Sequence, residues 1–342
     1  MNTEFVPCNL CGGSNFRTYI DKFGLTIVKC LRCGLLYTNP RPREEDILKR
    51  YGPDYFVHEY LPAFGAGPKS YNLDVVVNRY SLYLGILEHS RLPGRKLLDV
   101  GAGAGFFVKA ASQSGWEAEG VEVSEAAAAY SRDILNVGIH NRKFEDTDFG
   151  EGSFDAVTLL DTIEHLRDPL GSLTGIRRIL KKNGLLILNT PDVLSLSRLF
   201  LGKEWAVFSP LEHLYYFSQK TLTAVLEKAW FRIIGIRNLM HFNPEYTHNK
   251  EGRRYRRWKK WHADWDKKPL RLRIHGYEQK DVLRMVENSG VTRPDGEQAG
   301  IPGKGDAPRR AIPLRTLIKR IAFAATKSVL RGDLLVAVAR RD

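Results

Sequence analysis

The sequence predicts an α/β fold: a mostly parallel sheet with helices on both faces, preceded by a small cysteine-rich module and interrupted by a helical insertion before the last strand. Three observations carry this. The run Leu97-Leu98-Asp99-Val100-Gly101-Ala102-Gly103-Ala104-Gly105-Phe106 brings an apolar strand to an acidic tip, turns on three alternating glycines and opens an apolar helix, the pattern of the first βα turn of a nucleotide-binding domain. Glu122 stands 21 residues beyond Gly101, at the end of a second strand, where an acidic side chain accepts the ribose hydroxyls of a nucleoside. The apolar runs at 154–160 and 185–189 flank a segment with helical spacing, as strands buried on both faces of a parallel sheet do.

At 342 residues the chain has room for two or three domains. No apolar run is long enough to span a bilayer and residues 1–20 lack a signal-peptide pattern, so a cytoplasmic protein is expected. Charge is unevenly spread. Residues 250–342 hold 24 of the 52 Lys+Arg but 11 of the 39 Asp+Glu, which accounts for the whole net charge of +13. The remainder is neutral, which argues against a nucleic-acid footprint over the whole protein; the last quarter either meets something anionic or is simply solvated.

Cys8-x-x-Cys11 and Cys30-x-x-Cys33, with 18 residues between them, have paired-knuckle spacing. Each pair brings two thiolates to one side of a metal, and two pairs close a tetrahedron with no open position. A structural zinc is expected at Cys8, Cys11, Cys30 and Cys33, with a redox pair or two disulfides as alternatives. Residues 16–19 and 25–29 read as short strands of a ribbon that Asn39-Pro40-Arg41-Pro42 ends. A helix at 44–51 leads into an aromatic, Gly/Pro-rich stretch at 51–67, and helical spacing from 71 to 89 predicts one helix before the first strand.

At the glycine turn, missing Cβ atoms let the backbone approach a ligand while Asp99 offers a carboxylate. The dinucleotide fingerprint needs glycine where Phe106 stands, which disfavours NAD; a tight turn with no ligand is the bland alternative. Then come a helix to 115, a strand at 116–123, a helix at 125–135 capped by Ser124, and a strand at 138–142. Beyond the strand at 154–160 follow a helix stopping at Gly184, the strand 185–189, a short helix at 195–202, a helix capped by Ser218 and a strand at 231–236. The return strand is delayed to 333–340. Between lie a basic aromatic helix at 253–265, a Gly/Pro-rich disordered segment at 291–313 and an amphipathic helix at 314–329. These helices form a lid over the substrate, lie on an anionic membrane, or pack on the domain with basic residues in water.

D-x-G-x-G-x-G after a Leu-rich strand, as in Asp99 to Gly105, resembles the first motif of class I S-adenosylmethionine (SAM) methyltransferases, whose sheet is Rossmann-like. The resemblance implies that Gly101, Ala102, Gly103 and Gly105 cradle the amino-acid end of SAM and that Asp99 helps bind its ammonium. It also implies that Glu122 and Val123 take the ribose, that Phe144 and Glu145 flank the adenine, and that Asp161 belongs to the cofactor site. The run 153–191 is similar to the S-F-D … E-H-L … D-P … L-K-x-G-G … P region of that family, with Asn183 where proline or glycine is usual. The turn from Asp161 to His165 has two readings. If a helix starts at Thr162, then Asp161, Glu164 and His165 hold a divalent ion, as in some ubiquinone-pathway O-methyltransferases sharing the motif, or Asp161 and Glu164 form a capping box; His165 faces the substrate pocket in both.

The segment 205–218 resembles a subgroup with an N-terminal zinc ribbon, found in sugar, polysaccharide and natural-product biosynthesis, whose C-methylating members use a Glu-His pair to take a proton from carbon. This implies His213 with Glu212 as the base and His165 as the second candidate; the bland reading of His213 is an imidazole bonded within its loop. Trp230-Phe231 replaces the family's Gly-Phe, a change expected to alter only local packing. The expected organisation is a zinc ribbon at 1–42, a linker with helices at 43–94, a SAM-binding core at 95–240, a basic insertion at 241–332 and a last core strand at 333–342. The expected activity is methyl transfer from SAM to a sugar, other glycan or small-molecule intermediate, nucleotide- or lipid-linked, in the cytoplasm or peripheral to the inner face of the membrane. An RNA-modifying methyltransferase and a non-catalytic SAM-binding scaffold are the rivals, nucleic acid being disfavoured by the neutral ribbon half.

Overall fold

The structure is a computed structural model, and it describes residues 1–239 and 333–342. The expected helices at 253–265 and 314–329, the segment at 291–313 and any membrane contact through them lie outside the described residues. Among the described residues no helix is long and apolar enough to cross a membrane.

The cysteine-rich module comprises β1 (Thr3–Glu4), β2 (Phe16–Lys22), β3 (Leu25–Cys30), β4 (Leu36–Thr38) and β5 (Arg41–Pro42). β1 pairs with β5, while β2, β3 and β4 form an antiparallel ribbon. The main sheet uses β6 (Lys96–Val100), β7 (Glu117–Glu122), β8 (Ile139–Asn141), β9 (Phe154–Leu160) and β10 (Leu180–Pro191). Next in the chain is β11 (Tyr215–Tyr216), which leaves that sheet and becomes the fourth strand of the ribbon beside β4. β12 (Phe231–Leu239) and β13 (Leu334–Arg341) complete the main sheet in the order β12-β13-β10-β9-β6-β7-β8. Only β13 runs against its neighbours, so the sheet is parallel apart from one late insertion. This is the Rossmann-like architecture expected.

Alternation along the strands divides the core into two faces. Leu98, Val100, Val157, Leu159, Leu186 and Leu188 point to one side and pack on Leu173 and Ile176 of helix Pro169–Ile179 and on Leu222 and Val225 of helix Gln219–Lys228. Their neighbours Leu97, Ala156, Leu185 and Ile187 point to the other side, onto Phe106 and Phe107 of helix Phe106–Gln113 and Ile86 and Leu87 of helix Ser81–His89. A third cluster joins ribbon to core: Ile27 and Leu36 meet Val193, Leu201, Trp205, Phe208 and Tyr216.

Several local expectations change. The helix at 71–89 is two, Leu73–Arg79 and Ser81–His89, because Tyr80 steps out of helical geometry at φ −100°, ψ 6°. No helix starts at Thr162. Asp161 has φ 51°, and the next helix begins at Pro169, where proline suits the first position and Asp168 caps by accepting from the Gly171 amide at 2.9 Å. The capping-box reading of Asp161 and Glu164 is therefore wrong. Trp230 has φ 62°, the left-handed conformation after a helix that glycine adopts without strain, which is why glycine is usual there.

Trp205 is completely buried at the ribbon–core joint, whereas Trp230 is 77% exposed. Trp205→Ala is expected to cost about 3–5 kcal/mol. Trp230→Gly should be neutral or stabilising by up to about 1 kcal/mol through relief of the left-handed strain. Urea unfolding of the two variants checks both values.

Candidate active site

The turns that follow β6, β7 and β9 open on one side of the sheet and surround a cavity of about 1450 Å³. Gly101 is left-handed at φ 75°, and a Cβ there would lie 2.5 Å from Thr162 Cγ2, so the glycine turn is pressed against the turn after β9. Gly103 is left-handed too, and the space a Cβ would occupy is taken by the Tyr60 hydroxyl, which accepts the Ala104 amide at 3.1 Å. Asp99, Gly101, Ala102, Gly103, Glu122, Val123, Phe144, Glu145 and Asp161 all line the cavity. Gly105 does not. It starts helix Phe106–Gln113 at φ 79° with Val137 close behind, a packing position rather than a ligand contact.

Three acidic groups meet at the turn. Asp99 is buried and accepts the Thr158 hydroxyl at 2.6 Å; burial and the nearby Glu122 carboxylate raise it to about 7 despite that bond. Glu122 accepts the amides of Gly103 at 2.9 Å and Ser124 at 2.8 Å, and burial raises it as well. Asp161 is bonded to Asn189 Nδ2 at 2.6 Å; burial raises it to about 6, with the Arg79 guanidinium partly offsetting the shift. Arg79 lines the same wall, lying 4.2 Å from the Phe64 ring centre. Glu145 lines the cavity from an exposed position and accepts the Ser172 hydroxyl, while Phe144 is buried.

His165 and Glu212 also line the cavity. His165 Nδ1 lies 3.1 Å from the Glu212 carbonyl and 3.2 Å from the Tyr51 hydroxyl. A carbonyl only accepts, so Nδ1 carries the proton and Nε2 is the free nitrogen. His213 is held likewise, with Nδ1 2.7 Å from the Val207 carbonyl. The two rings meet edge to face, centres 4.6 Å apart. Burial, with His213 alongside, lowers His165 to about 3, and burial lowers His213, so both are neutral near pH 7. The Glu212 carboxylate does not orient His213 as expected: it pairs with Arg50, and only its backbone touches an imidazole, that of His165. His213 lines no part of the cavity; His165 does.

Glu164 is buried behind them with Oε2 unpartnered, and burial together with the Asp161 carboxylate raises it to about 8. Glu164, His165 and His213 offer ligand atoms within 4.8 Å of one another. A divalent ion would find these three rather than Asp161, Glu164 and His165, because the non-helical turn gives Asp161 to Asn189.

The four cysteines fit a metal. Their sulfurs lie within 4.8 Å of one another, two pairs at 3.5 Å, near the roughly 3.8 Å edge of a tetrahedron of zinc–thiolate bonds. None is in a disulfide. Burial pushes the Cys33 thiol up to about 11, whereas at Cys30 the amides of Cys33 and Arg32 outweigh burial and bring it down to about 7.

Tyr51, with Tyr55 and Phe56, stands in the aromatic stretch that either covers the cofactor or packs between ribbon and core; Tyr60, Arg50 and Arg79 carry no such signal in their spacing. All but Arg79 lie in or beside the aromatic stretch at 51–67, whose richness in rings was visible but whose contacts depend on how it folds over the sheet.

A family model described as a methyltransferase domain matches residues 73–235. This segment is similar to a methyltransferase domain. Proteins named ubiquinone biosynthesis O-methyltransferase match over about a third of the chain. That of Alkalilimnicola ehrlichii is 34% identical over 122 residues, 33% of this chain and 49% of that protein. That of Pseudomonas aeruginosa strain LESB58 is 32% identical over 109 residues, 30% and 47%. The chain spans about half the length of the curated relatives it matches. A solved SAM-dependent methyltransferase from Archaeoglobus fulgidus is 14% identical, with 82% of this chain and 97% of that chain covered and a TM-score of 0.46.

Within residues 73–235, Asp99 gives a pH signature. An unfolded aspartate ionises near pH 4, the folded one only near 7, so folding takes up a proton between those values and stability falls as pH rises through that window. Asp99→Asn keeps the acceptor for Thr158 and cannot ionise. Its melting temperature should gain on the unliganded wild type progressively from pH 4 to about 7 and then level off in calorimetric scans; a constant difference would contradict the assignment.

Proposed function

We propose that the protein transfers the methyl group of SAM to a nucleophile of a small biosynthetic intermediate, with a sugar carried on a nucleotide or lipid phosphate as the first candidate. One observation carries the reading: a single cavity of about 1450 Å³ reaches from the glycine turn and Glu122 to His165 and Glu212. Ordinary one-ligand sites are roughly 300–1,000 Å³, so cofactor and acceptor have room side by side. The charges suit SAM. Its sulfonium and ammonium are cations, and Asp99, Asp161 and Glu122 are buried carboxyls whose ionisation is less costly beside a cation, while Arg79 complements a carboxylate.

The acceptor attacks the sulfonium methyl in line, and the protein holds the pair in register and takes the acceptor's proton. His165 is the group for this step, being neutral, having Nε2 free and lining the cavity. His213 and Glu212 act from behind it, one through ring contact and the other through its carbonyl. A phenolic hydroxyl is the second acceptor class, favoured by the names of the partial relatives.

Calorimetry should give binding of SAM and none of NAD, and Glu122→Ala should weaken SAM binding at least about tenfold. Incubation with methyl-deuterated SAM and a panel of nucleotide sugars, lipid-linked sugars, catechols and RNA, read by mass spectrometry, should label a sugar. Labelling of RNA alone would defeat the reading. With the labelled acceptor, His165→Gln should slow turnover by about 10²–10⁴ while SAM affinity stays within about threefold.

A further inference from the structure

We propose that the four-cysteine knot sets the placement of His165 against His213, and so belongs to the acceptor-activating site rather than being an appended ribbon. This rests on reading the two histidines as that site. Each cysteine knuckle is docked on the segment of one histidine. Asn9, between Cys8 and Cys11, donates from Nδ2 to Asp168 Oδ1 at 2.7 Å and accepts the Leu170 amide at 3.0 Å, so the first knuckle sits on the helix start just after the His165 turn. Lys228 Nζ donates to the Leu10 carbonyl at 2.7 Å and ties down the same knuckle.

The second knuckle closes through the Gly34 amide to the Cys30 carbonyl at 3.0 Å and runs straight into β4. Thr38 there donates its amide to the Leu214 carbonyl at 2.9 Å and its hydroxyl to the His213 carbonyl at 3.0 Å. Tyr37 pairs with Tyr215 in register and stacks on its ring. From the other side the Glu164 carbonyl accepts the Leu214 and Tyr215 amides at 2.8 and 3.1 Å.

The sulfur contacts cross between knuckles: Cys8 meets Cys33 and Cys11 meets Cys30, both at 3.5 Å. A metal held by all four therefore fixes one knuckle to the other, and through Asn9 and Thr38 the turn of His165 to the loop of His213. Misplacement of a reacting group by about 1 Å costs about 10²-fold in rate, so this link bears directly on turnover.

The test uses the full chain loaded with zinc, the zinc-stripped chain, and two variants that keep every cysteine, Thr38→Val and Asn9→Ala. Hydrogen exchange over 161–168 and 207–217 and the histidine NMR signals of His165 and His213 are followed beside zinc content and SAM affinity. We expect Thr38→Val and Asn9→Ala to retain zinc and to bind SAM within about twofold of wild type. Exchange at 213–216 should rise at least tenfold in Thr38→Val, and exchange at 165–170 likewise in Asn9→Ala. The two histidine signals should move in both variants, and stripping zinc from the wild type should reproduce both changes. Unchanged histidine signals and exchange in all three, with residues 8–38 exchanging freely after stripping, would overturn the proposal. These readouts need no acceptor, so failure to find a methylated product bears on the proposed activity and leaves this result standing.

Discussion

The strand order reverses on either side of β6: β7 and β8 continue one way and β9, β10 and β13 the other. The turns after β6 and β9 leave the same edge of the sheet and touch at Gly101 and Thr162, and the cavity opens beside that contact. A cleft is the geometric result of this switch, and every candidate cofactor residue except Gly105 stands around it. A side chain at 101 or 103 would collide with Thr162 or Tyr60.

The cleft concentrates unlike chemistry in its lining. Near the glycine turn, burial forces three carboxyls towards their neutral forms, an arrangement that costs free energy in the empty protein and is relieved by a cation. Near His165, burial works in the opposite direction and keeps imidazoles uncharged, with backbone carbonyls fixing which nitrogen is free. Both groups obey one rule, that low polarity disfavours charge, and the side-chain type decides whether the outcome is an acid or a base.

The ribbon is a working part of this arrangement because its sheet is incomplete without β11, a strand supplied from beyond the core's fifth parallel strand. Trp205, Phe208 and Tyr216 bury the joint, and the carbonyls of His213 and Leu214 are satisfied by Thr38. A boundary drawn at residue 42 from composition separates elements that share a hydrogen-bonded sheet.

Local signals were legible wherever the chain itself supplies the cause. Ser124 and Ser218 cap the helices they precede, the apolar run of 154–160 is buried on both faces, and the cysteine spacing yields one knot, since each depends on residues a few positions apart. Asp161 to His165 failed for a specific reason: a carboxylate three residues before another suits a helix cap, but Asn189, 28 residues on, captures Asp161 and leaves the turn open. The order of the two histidines and the partner of Glu212 were likewise beyond reach, because Arg50 and Tyr51 come from one distant segment and Val207 from another. The sequence by itself determined most of the elements, the glycine turn and the four-cysteine cluster, all consequences of short-range sterics and spacing. Only the tertiary structure decided which carboxylate is free, which imidazole meets the cavity and what the ribbon holds, because those depend on long-range packing that brings distant backbone carbonyls within hydrogen-bonding reach.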